Sequence, residues 1–400
     1  MSARDGVLVV GAGPVGILNA LGLARAGVPV TVVDRSPDVV QSPRAAIYHW
    51  AVLDGLDRLG VYEEAARRGI LKQDYEYRAH RTGERVRFGL DALTGRVPRP
   101  YNLHLGQGAL VEIALEQLAR YEHATVLWQH ELVGLAQDAR SVTASVRTPE
   151  GTRTLTAGWL IGADGSHSAV RTALGLAFEG FTWPERFVAT NIRYPFAERG
   201  FAQNTFIVDD VYGAVIAKLD ETGGTGLWRY TYCEGDALPL DGVLDRMPGF
   251  FSAVLPDLDG LEVVEHAPYR MHQRAATTFR SGRVLLAGDA AHVTNPAGGL
   301  GLTGGLFDTF VLHEALAAVL AGQAPEEVLD DYARERRRVF LEMVNPAATA
   351  IKRLIFHSAD PDRLARDMAD LKRLETDEDA LVARLMSTKA METPSLVGAR

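Results

Sequence analysis

Residues 7–34 read VLVVGAGPVGILNALGLARAGVPVTVVD: an apolar run, glycines spaced G-x-G-x-x-G, a helical stretch, a second apolar run and an acid. No other segment limits the fold as tightly. Val7 to Val10 suit a buried parallel strand. Gly11 permits a tight turn out of it, Gly13 lets the backbone approach a pyrophosphate, and Gly16 lets the next helix lie close to the sheet. That helix, about Val15 to Ala26 with Pro14 just before it, aims its amide end and positive dipole at the phosphates. A second strand, Val28 to Val33, delivers Asp34 eighteen residues after Gly16, near where an acid meets a ribose diol. Asp34 would repel a 2′-phosphate, which favours FAD or NAD over NADP, and Arg35 beside it tempers that repulsion. This motif leaves flavin and nicotinamide both open.

With 400 residues, 47% hydrophobic and 23% charged, the chain is long enough for two cores. A net charge of -9 argues against nucleic acid or an anionic membrane as the main partner. One cysteine, Cys233, excludes an internal disulfide and a cysteine metal cluster, so it reads as a small core residue in a reducing, cytoplasmic setting, with no metal site expected. No secretory leader is expected before the first strand, nor any apolar run approaching a membrane span.

Farther along, a helical pattern covers 47–59 and another 62–68, residues 74–105 are strand-rich, and an amphipathic helix covers 110–120. Strands follow over 124–148, and a further one over 153–161 ends in LIGADG. From 178 to 267 the texture changes to alternating strands with one helix at 240–255, read as an antiparallel sheet inserted into the first domain. After RVLLAGDAAH, helices run almost to the end, and RERRR at 334–338 reads as a solvated or capping face.

Two more strand-to-helix junctions carry polar motifs at the edge where a parallel sheet binds ligands: Asp164 and Gly165 in LIGADGSHSAVR, and Gly288 and Asp289 in RVLLAGDAAHVTNPAGGLGLT. With these three motifs in order, the chain resembles the single-component, class A flavoprotein aromatic hydroxylases, the family of para-hydroxybenzoate hydroxylase and phenol hydroxylase. The resemblance spans nearly the whole chain. It implies an α/β architecture: a Rossmann-like FAD-binding domain of the GR2 type over 1–75, 101–177 and 268–345, an inserted antiparallel β-sheet substrate domain over 76–100 and 178–267, and a helical C-terminal segment over 346–400.

The resemblance also implies roles. Gly11, Gly13, Pro14, Val15 and Gly16 would hold the FAD pyrophosphate, and Asp34 with Arg35 the adenosine ribose. Arg44 and Gln107 would stand near the pyrophosphate and ribityl chain. Asp164 would support FAD and the approach of NADH or NADPH, and Gly288 and Asp289 the ribityl hydroxyls. Pro296, Gly299, Gly301, Leu302 and Thr303 would line the flavin edge, with helix-start amides where reduced flavin carries negative charge. Asp164 and Asp289 could also be plain helix caps, Arg44 a surface loop residue and Gln107 a helix-start polar residue. His292 reads as structural.

The implied activity is an NAD(P)H- and O2-dependent monooxygenase that hydroxylates an aromatic or heteroaromatic phenol or hydroxy acid through a C4a-hydroperoxyflavin. The cofactor supplies the chemistry and the protein orients, tunes and excludes water. A quinone or isoprenoid reductase of the same fold and a flavin-binding protein without turnover are the alternatives; a halogenase is disfavoured because W-x-W-x-I-P is absent. Trp228, Tyr230 and Tyr232 share one strand face, which either roofs the pocket or packs the sheet's core. His49, Asn191, Arg193 and Tyr212 are further substrate candidates; the base that deprotonates a phenol carries no motif. The chain ends without the thioredoxin-like C-terminal domain of some relatives, which favours a small substrate and leaves a larger polyketide-like one open; a monomer or homodimer is expected.

Overall fold

The computed structural model describes residues 6–41, 46–221 and 224–398, so Arg44 lies outside the described residues. Its central sheet runs Arg280–Ser281, Val284–Leu286, Trp159–Gly162, Val7–Val10, Val30–Asp34 and Ala124–Trp128, parallel except at the two-residue edge. VLVV, WLIG and VLL are buried along their whole length, as expected of strands covered on both faces. Helix Pro14–Arg25 packs against one face together with helices Leu300–Leu320 and Gln107–Leu118.

The expected single strand at 153–161 is two strands in different sheets. Gly151–Ala157 has an exposed, alternating TRTLT pattern and closes a three-stranded antiparallel meander with Glu131–Gln137 and Val142–Thr148, while Trp159–Gly162, apolar throughout, enters the central sheet. The expected helix from 47 starts at Trp50: His49 is extended (φ -61°, ψ 147°), Asn102 Oδ1 accepts the Trp50 amide at 2.9 Å, and Ile47–Tyr48 pairs as a strand with Asn102–His104. Ile70–Lys72 pairs on the other side of Asn102–His104, making a small three-stranded sheet.

The second large sheet has eight strands, ordered His292–Val293, Glu262–Ala276, Phe178–Arg193, Trp228–Gly235, Ala214–Lys218, Asn204–Val208, Asp74–Ala79 and Arg85–Gly89. It is antiparallel except that Asn204–Val208 runs parallel to Asp74–Ala79, so the expectation of a purely antiparallel insertion is corrected. Helix Val243–Val254 covers one face, and a separate hydrophobic core forms beneath it from Ile192, Phe196, Ile216, Trp228, Tyr230, Tyr232, Met247 and Phe251 among others. The opposite face joins the main core through Phe187, Phe206 and Cys233.

Two further expectations change. Leu300–Leu320 is long and apolar enough to cross a membrane by length and composition, but 72% of its most apolar window is buried inside the protein. Within RERRR, Arg334 and Arg338 pair at the surface with Asp331, Glu335 and Glu342, whereas Arg336 is buried, 1% exposed.

Candidate active site

The three sequence motifs meet at the carboxyl ends of adjacent strands. Gly11 has a left-handed φ of 107°, and a Cβ there would lie 2.3 Å from the Ala163 carbonyl oxygen and 2.9 Å from Asp164 Cα. The first motif therefore sits directly against the second. A Cβ on Gly288 (φ 58°) or Gly305 would come within 2.8 Å of Val15 Cγ2, so the third motif and the long apolar helix close on the first through Val15. Gly16 is needed for the same reason: a Cβ would stand 1.9 Å from the Gly11 oxygen. Gly13 differs, since no atom lies within 4 Å of its Cβ position.

Asp34 Oδ2 accepts the Ala12 amide at 2.7 Å and Oδ1 accepts the Ser36 amide at 2.8 Å, which fixes the half-buried carboxylate beside the glycine turn; Arg35 is exposed. Asp164 accepts from Ser168 Oγ at 2.5 Å and from the Val170 amide at 3.1 Å, capping the short helix Ala169–Ala173, and burial raises its pKa. Asp289 is exposed between buried Gly288 and Ala290 on a single 3-10 turn. Gln107 is the first, half-buried residue of its helix, and Gln41 lies against that helix, its Nε2 donating to Glu112 at 2.8 Å.

A buried ionic network that the sequence reading missed supports the third motif. Asp308 Oδ2 accepts the Gly288 amide at 3.0 Å and lies 2.7 Å from His292 Nε2; Oδ1 accepts from Arg336 Nε at 2.7 Å. Arg336 also donates to the Met391 and Gly304 carbonyls and to Thr393. Burial pushes the Asp308 pKa up, but His292 and Arg336 outweigh it and hold it at about 2. An acid inside an otherwise apolar helix was the available signal, because a buried charge requires a partner.

Pro296–Gly298 forms a 3-10 turn capped by Asn295, whose Oδ1 accepts the Ala297 amide at 3.2 Å. Gly299 turns left-handed (φ 66°) into the helix at Leu300, so Gly301, Leu302 and Thr303 are its first turn, with Pro296 exposed at the entrance. Thr303 Oγ1 donates to the Gly299 carbonyl at 3.1 Å. His49 Nε2 donates to the Gly298 carbonyl at 3.0 Å, and burial lowers its pKa. Of the substrate candidates, His49 is the one hydrogen-bonded to this loop among the described residues, through the Gly298 carbonyl.

The other candidates divide across the second sheet. Trp228 and Tyr230, 1% and 0% exposed, belong to the core under Val243–Val254, against Phe196 and Phe251. Their face is thus core packing and not an open aromatic roof: a covering helix consumes it. Tyr212 rests edge-on against His80 and against Phe250 of that helix. Asn191 points the other way, accepting from Arg229 Nε at 2.8 Å and donating to Glu265 at 3.2 Å. Arg193 lies 4.0 Å from Glu262 at the strand end. Cys233 is half-buried, and burial raises its thiol pKa.

Comparison with known proteins agrees with this geometry. The FAD binding domain family matches residues 5–215 and 251–347. The chain is 41% identical over 394 residues to 6-hydroxy-3-succinoylpyridine 3-monooxygenase of Pseudomonas putida, covering 98% of this chain and 100% of the relative. It is 42% identical over 381 residues to para-nitrophenol 4-monooxygenase of a Pseudomonas species, covering 94% and 93%. The crystal structure of p-nitrophenol 4-monooxygenase from Pseudomonas putida DLL-E4 superposes with a TM-score of 0.93 at 39% identity, over 97% of this chain and 98% of that one. A ternary complex of aklavinone-11 hydroxylase with FAD and aklavinone superposes with a TM-score of 0.77 at 29% identity, over 88% and 69%. The chain belongs to the FAD-dependent aromatic hydroxylases of the para-hydroxybenzoate hydroxylase type and is an NAD(P)H- and O2-dependent flavoprotein monooxygenase.

Proposed function

We propose that this enzyme hydroxylates a single-ring phenol or hydroxypyridine bearing a polar substituent, with FAD laid along the carboxyl ends of the central strands. One observation carries the cofactor path: the three motifs converge at one sheet edge and leave Gly13 with open space where Gly11, Gly16, Gly288 and Gly305 are filled. The residues fit the group. The helix amides behind Gly13 suit a pyrophosphate, and each Asp34 oxygen, though it accepts one amide, retains a lone pair for a ribose hydroxyl. Exposed Asp289 follows Gly288, whose amide is fixed by Asp308, and suits the ribityl hydroxyls. Gln107, at the start of its helix, belongs to the same path. The Leu300 helix start places amides where the flavin ring becomes negative on reduction. When bound, FAD supplies the hydride acceptance and oxygen activation.

What this chain adds is orientation. His49 ties the helix Trp50–Arg58 to the Pro296–Gly299 turn, and Asp164 is rigidified at the adjoining strand end. The substrate class rests on the two relatives aligned over nearly their full length, both named for hydroxylated or nitrated single rings. The domain division at 76–100 and 178–267, a cytoplasmic setting and a monomeric or homodimeric state belong to the same reading. The test is a screen of nitrophenols, hydroxypyridines and hydroxybenzoates for stimulated NADH or NADPH oxidation with one oxygen atom incorporated, beside Asp289→Ala. Oxidation stimulated without oxygen incorporation for every compound would refute the reading, as would an Asp289→Ala protein with wild-type FAD affinity.

A further inference from the structure

Two buried polar atoms near the flavin-edge loop have no partner. Lys72 Nζ makes no hydrogen bond, and its side chain is 2% exposed; His104 Nε2 makes none, and its ring is 0% exposed. Leaving such atoms without a partner is costly, the more so for a charged group, unless something satisfies them. They are neighbours. In the small sheet His104 pairs with Ile70 and Asn102 with Lys72, so Lys72 and His104 are diagonal residues on one face of adjacent antiparallel strands.

Their chemistry is complementary. His104 Nδ1 lies 2.9 Å from the Lys218 carbonyl, which can only accept, so Nδ1 carries the hydrogen and Nε2 presents a lone pair. Lys72 is a donor, with the Trp228 ring 5.9 Å away. The charged groups acting on Lys72 are Lys218, Asp74 and Glu221, and those acting on His104 are Lys72 and His49. The site also adjoins the flavin edge: Ile47 pairs with His104, and a Cβ on Gly299 would lie 3.8 Å from Ile47 Cβ and 3.3 Å from His49 Nε2.

An unpaired donor beside an unpaired acceptor is matched by one group that accepts and donates through the same atom. We propose that Lys72 and His104 together recognise the ring hydroxyl of the substrate, Lys72 donating to its oxygen and His104 Nε2 accepting a hydrogen bond from its O–H. A nitro or carboxylate group would satisfy Lys72 and leave His104 Nε2 unpaired. Burial and the Lys218 charge bring Lys72 down to about 7, and burial and Lys72 bring His104 down to about 3. The inference rests on the proposed hydroxylated-ring substrate.

The experiment uses FAD-loaded enzyme and a panel of 4-nitrophenol, 3-hydroxypyridine and 4-hydroxybenzoate, each beside its methyl ether, with dissociation constants read from perturbation of the flavin spectrum. At least one phenol should bind the wild type roughly 10- to 100-fold more tightly than its ether. Lys72→Met and His104→Phe should bring that ratio near one at unchanged FAD content, and His104→Gln, which keeps an acceptor, should restore part of it. A merely structural role would weaken phenol and ether alike. Equal binding of each phenol and its ether by the wild type, or an undiminished ratio in the variants, overturns the inference; if the pair only holds a water molecule, the first of these results follows. Oxygen incorporation into a panel member with an undiminished ratio rejects this pair and leaves the proposed function standing. Failure of every panel member to bind rejects both.

Discussion

Gly13 and Gly16 are three residues apart in one motif, yet replacing each with alanine should break different things. A Cβ on Gly16 would stand 1.9 Å from the Gly11 oxygen, where a tolerated contact needs about 3 Å, so strand and helix must part by about 1 Å. Overpacking of that kind costs about 1–3 kcal/mol, against roughly 1 kcal/mol regained from helix propensity. A Cβ on Gly13 meets nothing within 4 Å, and the backbone there (φ -73°, ψ 178°) suits any residue. Reduced freedom of the unfolded chain and the poorer N-cap offset each other to within about 1 kcal/mol. The Gly13 methyl instead occupies the pyrophosphate's approach. Applying the same overpacking cost to the bound state weakens FAD about 5- to 150-fold. Urea midpoints of flavin-stripped protein and FAD titrations by flavin fluorescence separate the two. The Gly13→Ala protein should unfold like wild type and bind FAD poorly, while Gly16→Ala should lose stability. Wild-type FAD affinity in Gly13→Ala, or a loss of its stability matching that of Gly16→Ala, would refute the reasoning.

Asp308→Asn should cost about 3–5 kcal/mol in urea unfolding at neutral pH, because Arg336 is left buried without its counter-charge. The wild-type contribution of Asp308, whose pKa is held at about 2, is complete above the unfolded value near 4 and is lost as pH falls through about 2. A variant with the wild-type urea midpoint would contradict this. Lys72, lowered to about 7, has the opposite character: the unfolded chain binds the extra proton between about pH 7 and 10.5, so stability should rise with pH across that window. Lys72→Met should flatten the rise and exceed wild-type stability at pH 6, by an amount on the order of 5 kcal/mol at most; a variant less stable than wild type at pH 6 would count against it.

How much was legible depends on the kind of residue. Gly11, Gly16 and Gly288 answer to backbone geometry and close approach, so spacing located the strand ends and a dinucleotide site, while the choice of FAD came from the family resemblance. The break at Gly158 could not be read, because TRTLT and WLIG are both good strands and only their pairing partners separate them. The strand at Ile47–Tyr48 was hidden in a helical pattern for the same reason: Asn102 takes the Trp50 amide from a strand about fifty residues away.

The aromatic face of Trp228 and Tyr230 shows the limit on function. Alternation in WRYTYC determined that these rings share a face, but which face is covered depends on where Val243–Val254 docks. Sequence by itself thus determined the glycine-and-acid scaffold, because the turns and spacing of the motifs are written in local order along the chain. Tertiary structure alone decided that Asp308 and Arg336 anchor the third motif and that Lys72 and His104 stand together unpaired, since buried charges and orphaned donors are defined by neighbours from distant parts of the chain.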